Sequence, residues 1–269
     1  MRKIDPNSII PMCAFNEVNS RTLYSEPGRN AGNLVNNFPG LYHPEATIVW
    51  AHKEIAAIVL TAGKICKKVF GWTLFVVDGL RTVEAQKQMQ DHHYPPLLVS
   101  TPGTGGHPRA MAIDILAVHG SSVGGKFVNM GVPFDFFSPN PEIFNPSSRV
   151  HTAFASNFEQ AALFYLNRQK LEFSMRAAAD LLESKILPLE EEWWDFRLPR
   201  ERYQQFMPLR ERDLLPSQRL LDPDVDALKE IKAGIYPKKM QKTIEHTRKV
   251  LNKVEETSLF KPPCFSVDF

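Results

Sequence analysis

Residues 105–118, GGHPRAMAIDILAV, carry the pattern that decides the fold of this chain. From Met111 to Val118 the residues are small or apolar except for one aspartate, which is typical of a buried strand. His107 stands just before this strand, and Asp114 lies within it. Histidine nitrogen and carboxylate oxygen are common ligands of zinc. We therefore predict that a bend in the chain brings both side chains to one metal ion.

A second polar cluster lies among aromatic residues further along the chain, at residues 192–196, EWWDF. A hydrolytic metal site needs about three protein ligands, an open position for water and a base that does not itself bind the metal. We predict that Asp195 joins His107 and Asp114 as a ligand. Glu192 is then free to take a proton from water and return it to the leaving amine. Together these residues suggest a mononuclear zinc hydrolase.

An apolar tract that ends in Asp-Gly precedes a possible anion-binding residue. Residues 73–77 are predicted to form a buried strand, and Arg81 follows shortly after it. A strand that ends in Asp-Gly delivers its next side chain to the mouth of a loop. We predict that Arg81 binds an anionic group there.

Five short segments of this chain resemble motifs of the D-alanyl-D-alanine dipeptidases of the vancomycin-resistance type, within the wider D-Ala-D-Ala peptidase family. They lie at residues 36–40, 78–82, 105–114, 130–135 and 192–195. In the S-x-H-x-x-G-x-A-x-D motif, Gly105 stands at the serine position and Ala110 at the glycine position. In the E-W-W-H motif, Asp195 replaces the family's last histidine. The similarity covers roughly residues 30 to 200.

The resemblance implies that the chain hydrolyses D-Ala-D-Ala, or a related dipeptide derived from peptidoglycan, with zinc as its cofactor. One zinc ion per chain would be held by His107, Asp114 and the residue at position 195. Glu192 would be the general base. The expected partner is a small peptide substrate.

The resemblance also implies roles for two further residues. Arg81 would stabilise the tetrahedral intermediate, and Asp135 would hold the free amino group of the substrate. Two other functions stay open. One is a D,D- or L,D-carboxypeptidase that trims longer stem peptides. The other is a non-catalytic peptide-binding relative that lost efficient metal chemistry through Asp195.

Aspartate at position 195 changes the charge of the predicted site. Two neutral histidines and one aspartate leave a zinc site at about +1, whereas one histidine and two aspartates bring it near zero. A less positive site is a weaker Lewis acid, and oxygen-rich ligation shifts preference toward manganese or iron. Three possibilities stay open: Asp195 binds the metal, another histidine takes its place as the third ligand, or the metal site is weakened or absent. The candidate histidines are His92, His93, His119 and His151.

Composition indicates a folded protein without an electrostatic partner. The chain has 269 residues, 43% of them hydrophobic, which is enough for a sizeable core. A net charge of +2 is too small to attract nucleic acid or a membrane surface electrostatically, so neither is an expected partner. Three scattered cysteines, and a start without an apolar leader segment, favour a cytoplasmic location. A periplasmic location stays open if a leader was removed.

The pattern along the chain predicts an α+β fold, with a mixed, mostly antiparallel sheet packed by helices. We expect an irregular N-terminal arm at 1–45, a catalytic domain at 46–205 and a helical C-terminal extension at 206–269. Periodicity and capping residues predict helices at 46–69, 82–90, 157–184, 225–233 and 238–256. Strands are predicted at 73–77, 111–118 and 187–197.

Overall fold

A computed structural model describes residues 1–28, 30–31, 34–91, 100–120, 126–136, 138, 145–152 and 154–257. The strands are β1 Ile9–Pro11, β2 Asn19–Ser20, β3 Asn30–Ala31, β4 Leu34–Val35, β5 Trp50–His52, β6 Trp72–Asp78, β7 Ala112–His119, β8 Leu187–Pro188 and β9 Asp195–Arg197. The helices are α1 Lys53–Phe70, α2 Val83–Asp91, α3 Phe158–Leu181, α4 Arg200–Tyr203, α5 Val225–Lys232 and α6 Lys238–Thr257.

The main sheet has the strand order β2-β6-β7-β9-β8. Its pairs are antiparallel except for the parallel pair of β2 with β6, which confirms the predicted α+β class and the mostly antiparallel sheet. Along β6 and β7, Trp72 pairs with His119 at one end and Asp78 with Asp114 at the other. Asp114 pairs in turn with Asp195 on β9. Three aspartates therefore lie side by side on three neighbouring strands.

Helix α1 covers this sheet and packs against β6 and α3. Its apolar residues Ile55, Ile58 and Val59 recur at helical spacing, and all three are fully buried. Gly71, at a φ of 66°, ends the helix in the left-handed conformation that glycine adopts most readily. In the described part of the chain, no helix combines the length and the hydropathy that a bilayer span requires.

The helix predicted at 46–69 begins at Lys53 instead, so the prediction was wrong over its first seven residues. Residues 50–52 form β5, which pairs antiparallel with β1 near the N-terminus of the chain. This pairing provides hydrogen-bond partners for the backbone groups of residues 50–52, whose side chains also fit a helical pattern. A distant partner strand has therefore overridden local periodicity.

The single strand predicted at 187–197 is also wrong. Two short strands, β8 and β9, pair with each other there, and a turn separates them. In that turn the backbone N–H of Asp195 donates to the carbonyl of Glu192 at 3.3 Å. Residues three apart on a strand point to opposite faces, whereas a turn lets both carboxylates point the same way.

Both ends of the chain contribute to the same core as the middle. Side chains from the described parts of residues 1–45, 46–205 and 206–257 form one contiguous buried cluster. Helix α6 packs on α1 and β1, and the side chain of Gln218 donates to the carbonyls of Pro6 and Ile9 at 2.9 and 3.0 Å. The predicted C-terminal helices are present as α5 and α6.

Gly63 marks the closest approach of α1 to the N-terminal segment. A Cβ at this position would lie 2.6 Å from the carbonyl oxygen of Glu17 and 2.8 Å from a methyl group of Val18. In open space a helical Gly→Ala change stabilises by about 1 kcal/mol. We expect Gly63→Ala to destabilise instead, by about 1–3 kcal/mol, because the added methyl has no room. Urea denaturation measures the sign of the change, and a stabilised variant would contradict this packing.

Candidate metal centre

The ends of β6, β7 and β9 surround a buried imidazole. The Nε2 atom of His107 lies 3.6 Å from Oδ1 of Asp114 and 3.5 Å from Oδ2 of Asp195. All three side chains are buried. The structure thus brings together the three residues predicted as metal ligands.

His107 is aimed by its own backbone turn and by one hydrogen bond. It begins a 3-10 turn that ends at Ala110, which has a φ of 54°. Its Nδ1 atom lies 2.7 Å from the carbonyl oxygen of Gly79. A carbonyl only accepts, so Nδ1 carries a hydrogen, and Nε2 is the ring nitrogen that faces the carboxylates and can bind a metal ion once the ring is neutral. Metal-binding histidines commonly have this partner on their second nitrogen.

Gly79, whose carbonyl contacts the ring, lies where a side chain has no room. A Cβ there would lie 2.5 Å from the carbonyl oxygen of Trp50, inside van der Waals contact. That carbonyl also accepts the backbone N–H of Leu80 at 2.7 Å. The end of β6 is therefore held tightly against β5.

The donor atoms fit a divalent metal ion. Ligands at about 2.0–2.2 Å from a tetrahedral ion are about 3.3–3.6 Å apart, which matches the two distances from His107. Oδ1 of Asp114 is buried and has no hydrogen-bond partner within the described residues. A buried carboxylate oxygen without a partner is costly, and a metal ion would remove that cost. Two groups of donor atoms could hold an ion, one from Asp78, His107 and Asp114 and one from Asp114, Glu192 and Asp195, so the three predicted ligands are divided between two groups that share Asp114.

Glu192 borders the same group from the turn between β8 and β9. Carboxylate oxygens of Glu192, Asp114 and Asp195 all lie within 4.8 Å of one another. Burial, with the charges of Asp195 and Asp114, raises the pKa of Glu192 to about 8. A carboxyl group with this pKa exchanges its proton near neutral pH, as a general base requires.

Asp195 has a second partner that the sequence analysis missed. Nε of Arg197 donates to its Oδ1 at 2.9 Å, and a terminal nitrogen of the same guanidinium donates to its Oδ2. Burial opposes ionisation of Asp195, but Arg197 and His107 hold its pKa well below the usual range. Residues two apart on a strand share a face, and that spacing was the available signal.

Arg81 is oriented by Asp78, which also escaped the sequence analysis as a site residue. Nε and a terminal nitrogen of Arg81 donate to Oδ2 of Asp78 at 3.0 and 2.7 Å. The Tyr42 hydroxyl donates to Oδ1 of Asp78 at 3.2 Å. Arg81 also lies 3.5 Å from Oδ2 of Asp114. Its fixed positive charge therefore stands at the edge of the candidate metal centre.

Asp135 occupies a strained position beside an N-terminal tyrosine. Its φ is 58°, and its carboxylate is buried. The Tyr24 hydroxyl donates to Oδ1 at 3.4 Å, and the backbone N–H of Asn37 donates to Oδ2 at 3.3 Å. Burial raises the pKa of Asp135 to about 7. Arg81 lies 5.5 Å from the centre of the Tyr24 ring, so Tyr24 connects Asp135 to Arg81.

The histidines considered as substitute ligands do not join this group. His119 lies at the opposite end of β7 from Asp114, about 16 Å away along a strand. Neither His119 nor His151 belongs to a potential metal-binding group in the part of the chain that the structure describes. His92 and His93 lie outside the described residues.

A buried arginine that the sequence analysis missed holds the turn that carries Glu192. Arg149 donates to the carbonyl oxygens of Leu189, Trp193 and Asp195 at 2.7, 3.1 and 2.6 Å. Its guanidinium lies 4.3 Å from the centre of the Phe196 ring. One side chain therefore supports a turn whose two flanking strands are only two and three residues long.

Comparison with models of known protein families gives no match, and neither does comparison with curated protein sequences. Among solved structures, the chain is similar to the crystal structure of the L-Ala D-Glu endopeptidase of Serratia marcescens. The sequence identity is 13% and the TM-score is 0.33, over 57% of this chain and 84% of that chain. Function is therefore inferred from the residues of the site itself.

Arg149→Lys tests the support of the turn. A lysine cannot reach three carbonyls at once, so buried acceptors lose their partners at about 1–3 kcal/mol each. We expect a clear fall in the midpoint of thermal unfolding. Arg176→Lys is the matched control, because Arg176 is exposed and pairs with Glu172, which also lies near Arg149. Equal midpoints for the two variants would contradict a supporting role.

The charges around His107 give the metal-free protein a distinct dependence on pH. Burial and Arg81 disfavour a protonated ring, but Asp114 and Asp195 outweigh them and raise the pKa of His107 to about 10. Because this pKa is higher in the folded than in the unfolded protein, protonation of His107 stabilises the fold. That contribution is complete below about pH 6.5 and is lost as the pH rises through about 10.

We expect the free energy of unfolding of chelator-treated protein to fall between pH 8 and pH 10. The raised pKa values of Asp135 and Glu192 also make stability fall with pH, but they lie at about 7 and about 8. Urea titrations along the pH range measure the fall. His107→Gln should remove the fall in the free energy of unfolding above pH 8. A wild-type free energy of unfolding that stays level between pH 8 and pH 10 would contradict the raised pKa of His107.

Proposed function

We propose that this chain is a metal-dependent peptidase that hydrolyses D-Ala-D-Ala or a related small peptide from peptidoglycan. The observation that carries the proposal is the orientation of His107. Its Nδ1–H is bound to the carbonyl of Gly79, and its Nε2 faces the carboxylates of Asp114 and Asp195. The choice of substrate is supported by the sequence resemblance to the D-Ala-D-Ala peptidase family.

His107, Asp114 and Asp195 would hold the metal ion. When bound, a divalent ion polarises a scissile carbonyl and lowers the pKa of water. We propose one zinc ion per chain, and the two carboxylates also suit manganese or iron. Asp78 also lies in a potential metal-binding group with His107 and Asp114. Asp78, however, lies 3.7 Å from Nδ1 of His107, the nitrogen that is bonded to the Gly79 carbonyl, and it would therefore orient Arg81 instead.

Glu192 would act as the general base. Its carboxylate lies within 4.8 Å of oxygens of Asp114 and Asp195, and burial with their charges raises its pKa to about 8. Positive charge placed between those two ligands lowers this pKa, so the base is ionised when it is needed. The same carboxyl group then returns the proton to the leaving amine.

Arg81 and Asp135 would position the substrate. Arg81 keeps its charge throughout and is locked by Asp78, so it offers a preorganised donor to the oxyanion of the tetrahedral intermediate. Asp135 would bind the free amino group of the substrate, because a buried carboxylate is stabilised by an ammonium partner. Tyr24 and Asn37 hold Asp135 in place for that contact.

The test begins with full-length protein purified without chelator. Metal content is measured by mass spectrometry, and amine release is measured from D-Ala-D-Ala before and after addition of zinc, manganese or iron. We expect about one metal ion per chain and turnover of the dipeptide. Tripeptides and pentapeptides ending in D-Ala-D-Ala form a second panel, and their preferential cleavage would instead indicate a carboxypeptidase. No metal and no turnover would favour a non-catalytic peptide-binding protein.

Glu192→Gln separates the base from the ligands. We expect this variant to keep its metal but to lose at least about a hundredfold in kcat, because no group remains to accept the proton. The matched control is Glu191→Gln, since Glu191 is the exposed neighbour of Glu192 in the same turn. Loss of metal together with activity in Glu192→Gln would show that Glu192 is a ligand.

A further inference from the structure

Arg197 and Asp195 form a closed pair at the edge of the candidate metal centre. The guanidinium donates to both oxygens of the carboxylate, in the bidentate arrangement that is the strongest form of this interaction. Exposure of the two side chains is only 15% and 3%, so water screens the pair weakly. One of the paired oxygens, Oδ2, is also the atom that faces Nε2 of His107.

This arrangement limits what Asp195 can give to a metal ion. A carboxylate oxygen that already accepts from a guanidinium has less electron density to donate to a second positive partner. We propose that Arg197 weakens the hold of Asp195 on the metal ion and cancels its charge, so that the Asp195–Arg197 pair acts as a neutral ligand. This inference rests on the proposed function. Arg197 acts through Asp195 and is a positioning residue.

The charge balance of the site supports this role. A divalent ion with His107, Asp114 and Asp195 alone has a net charge near zero. Addition of Arg197 restores about +1, the value that one carboxylate and two neutral ligands would give. The aspartate at position 195 therefore need not produce a weak Lewis acid.

The other buried arginines of the site do not supply this charge to Asp195. Arg81 makes its short contacts with Asp78, at 2.7 and 3.0 Å, and lies 3.5 Å from Asp114. Arg149 donates its hydrogen bonds to backbone carbonyl oxygens, including that of Asp195. In the part of the chain that the structure describes, Arg197 is the arginine that bonds the Asp195 carboxylate.

The experiment measures zinc affinity of the metal-free, full-length protein by competition with a chromophoric chelator. We expect Arg197→Gln to bind zinc about tenfold or more tightly, because the freed carboxylate gains charge and electron density. Arg197→Lys keeps the charge and should bind within about threefold of wild type. Turnover of D-Ala-D-Ala should fall in Arg197→Gln despite the tighter binding. A residue needed only for folding would not tighten binding.

Arg202→Gln is the matched control, and circular dichroism confirms the fold of every variant. Arg202 also donates through Nε and a terminal nitrogen to one carboxylate, that of Glu54, so its loss breaks a similar pair elsewhere. Its zinc affinity should equal that of wild type. If Arg197→Gln does not fold, Arg197→Lys decides alone, and a tenfold change in either direction overturns the inference.

Two outcomes separate this inference from the proposed function. Wild-type protein that binds zinc, with equal or weaker binding in Arg197→Gln, would overturn the inference and leave the proposed function standing. Wild-type protein that binds no zinc, manganese or iron would overturn both.

Discussion

The antiparallel pairing of β7 with both β6 and β9 is the constraint on which the rest of the structure depends. Its register places Asp78, Asp114 and Asp195 side by side at one end of the sheet. Three buried carboxylates at this spacing repel one another, and each must be paired or bound if the fold is to be stable. The positions of the neighbouring cations follow from that requirement.

Two of the three aspartates are neutralised by arginines from their own segments. Arg81 follows Asp78 by three residues, and Arg197 follows Asp195 by two. Asp114 remains in the middle strand, where one oxygen has no hydrogen-bond partner among the described residues. The charge that is left over is therefore concentrated on Asp114, beside Nε2 of His107. This is where a cation is stabilised most.

Local patterns in the sequence predicted some of these features and not others. Short segments of sequence contain the apolar runs of β6 and β7 and the placement of His107 and Asp114. These features could therefore be predicted from the sequence. The turn before Asp195 was not, because it is supported by Arg149, which is more than forty residues away in sequence. Likewise α1 begins late because of a strand near the N-terminus. Tertiary contacts of this kind leave no periodic signal.

Gly79 connects the packing of the core to the geometry of the candidate metal centre. The lack of a side chain lets it lie against the Trp50 carbonyl, and its own carbonyl fixes the tautomer of His107. Any larger residue would push β6 away from β5 and release the imidazole at the same time. One backbone position therefore sets both the packing at the end of β6 and the direction of the histidine ring.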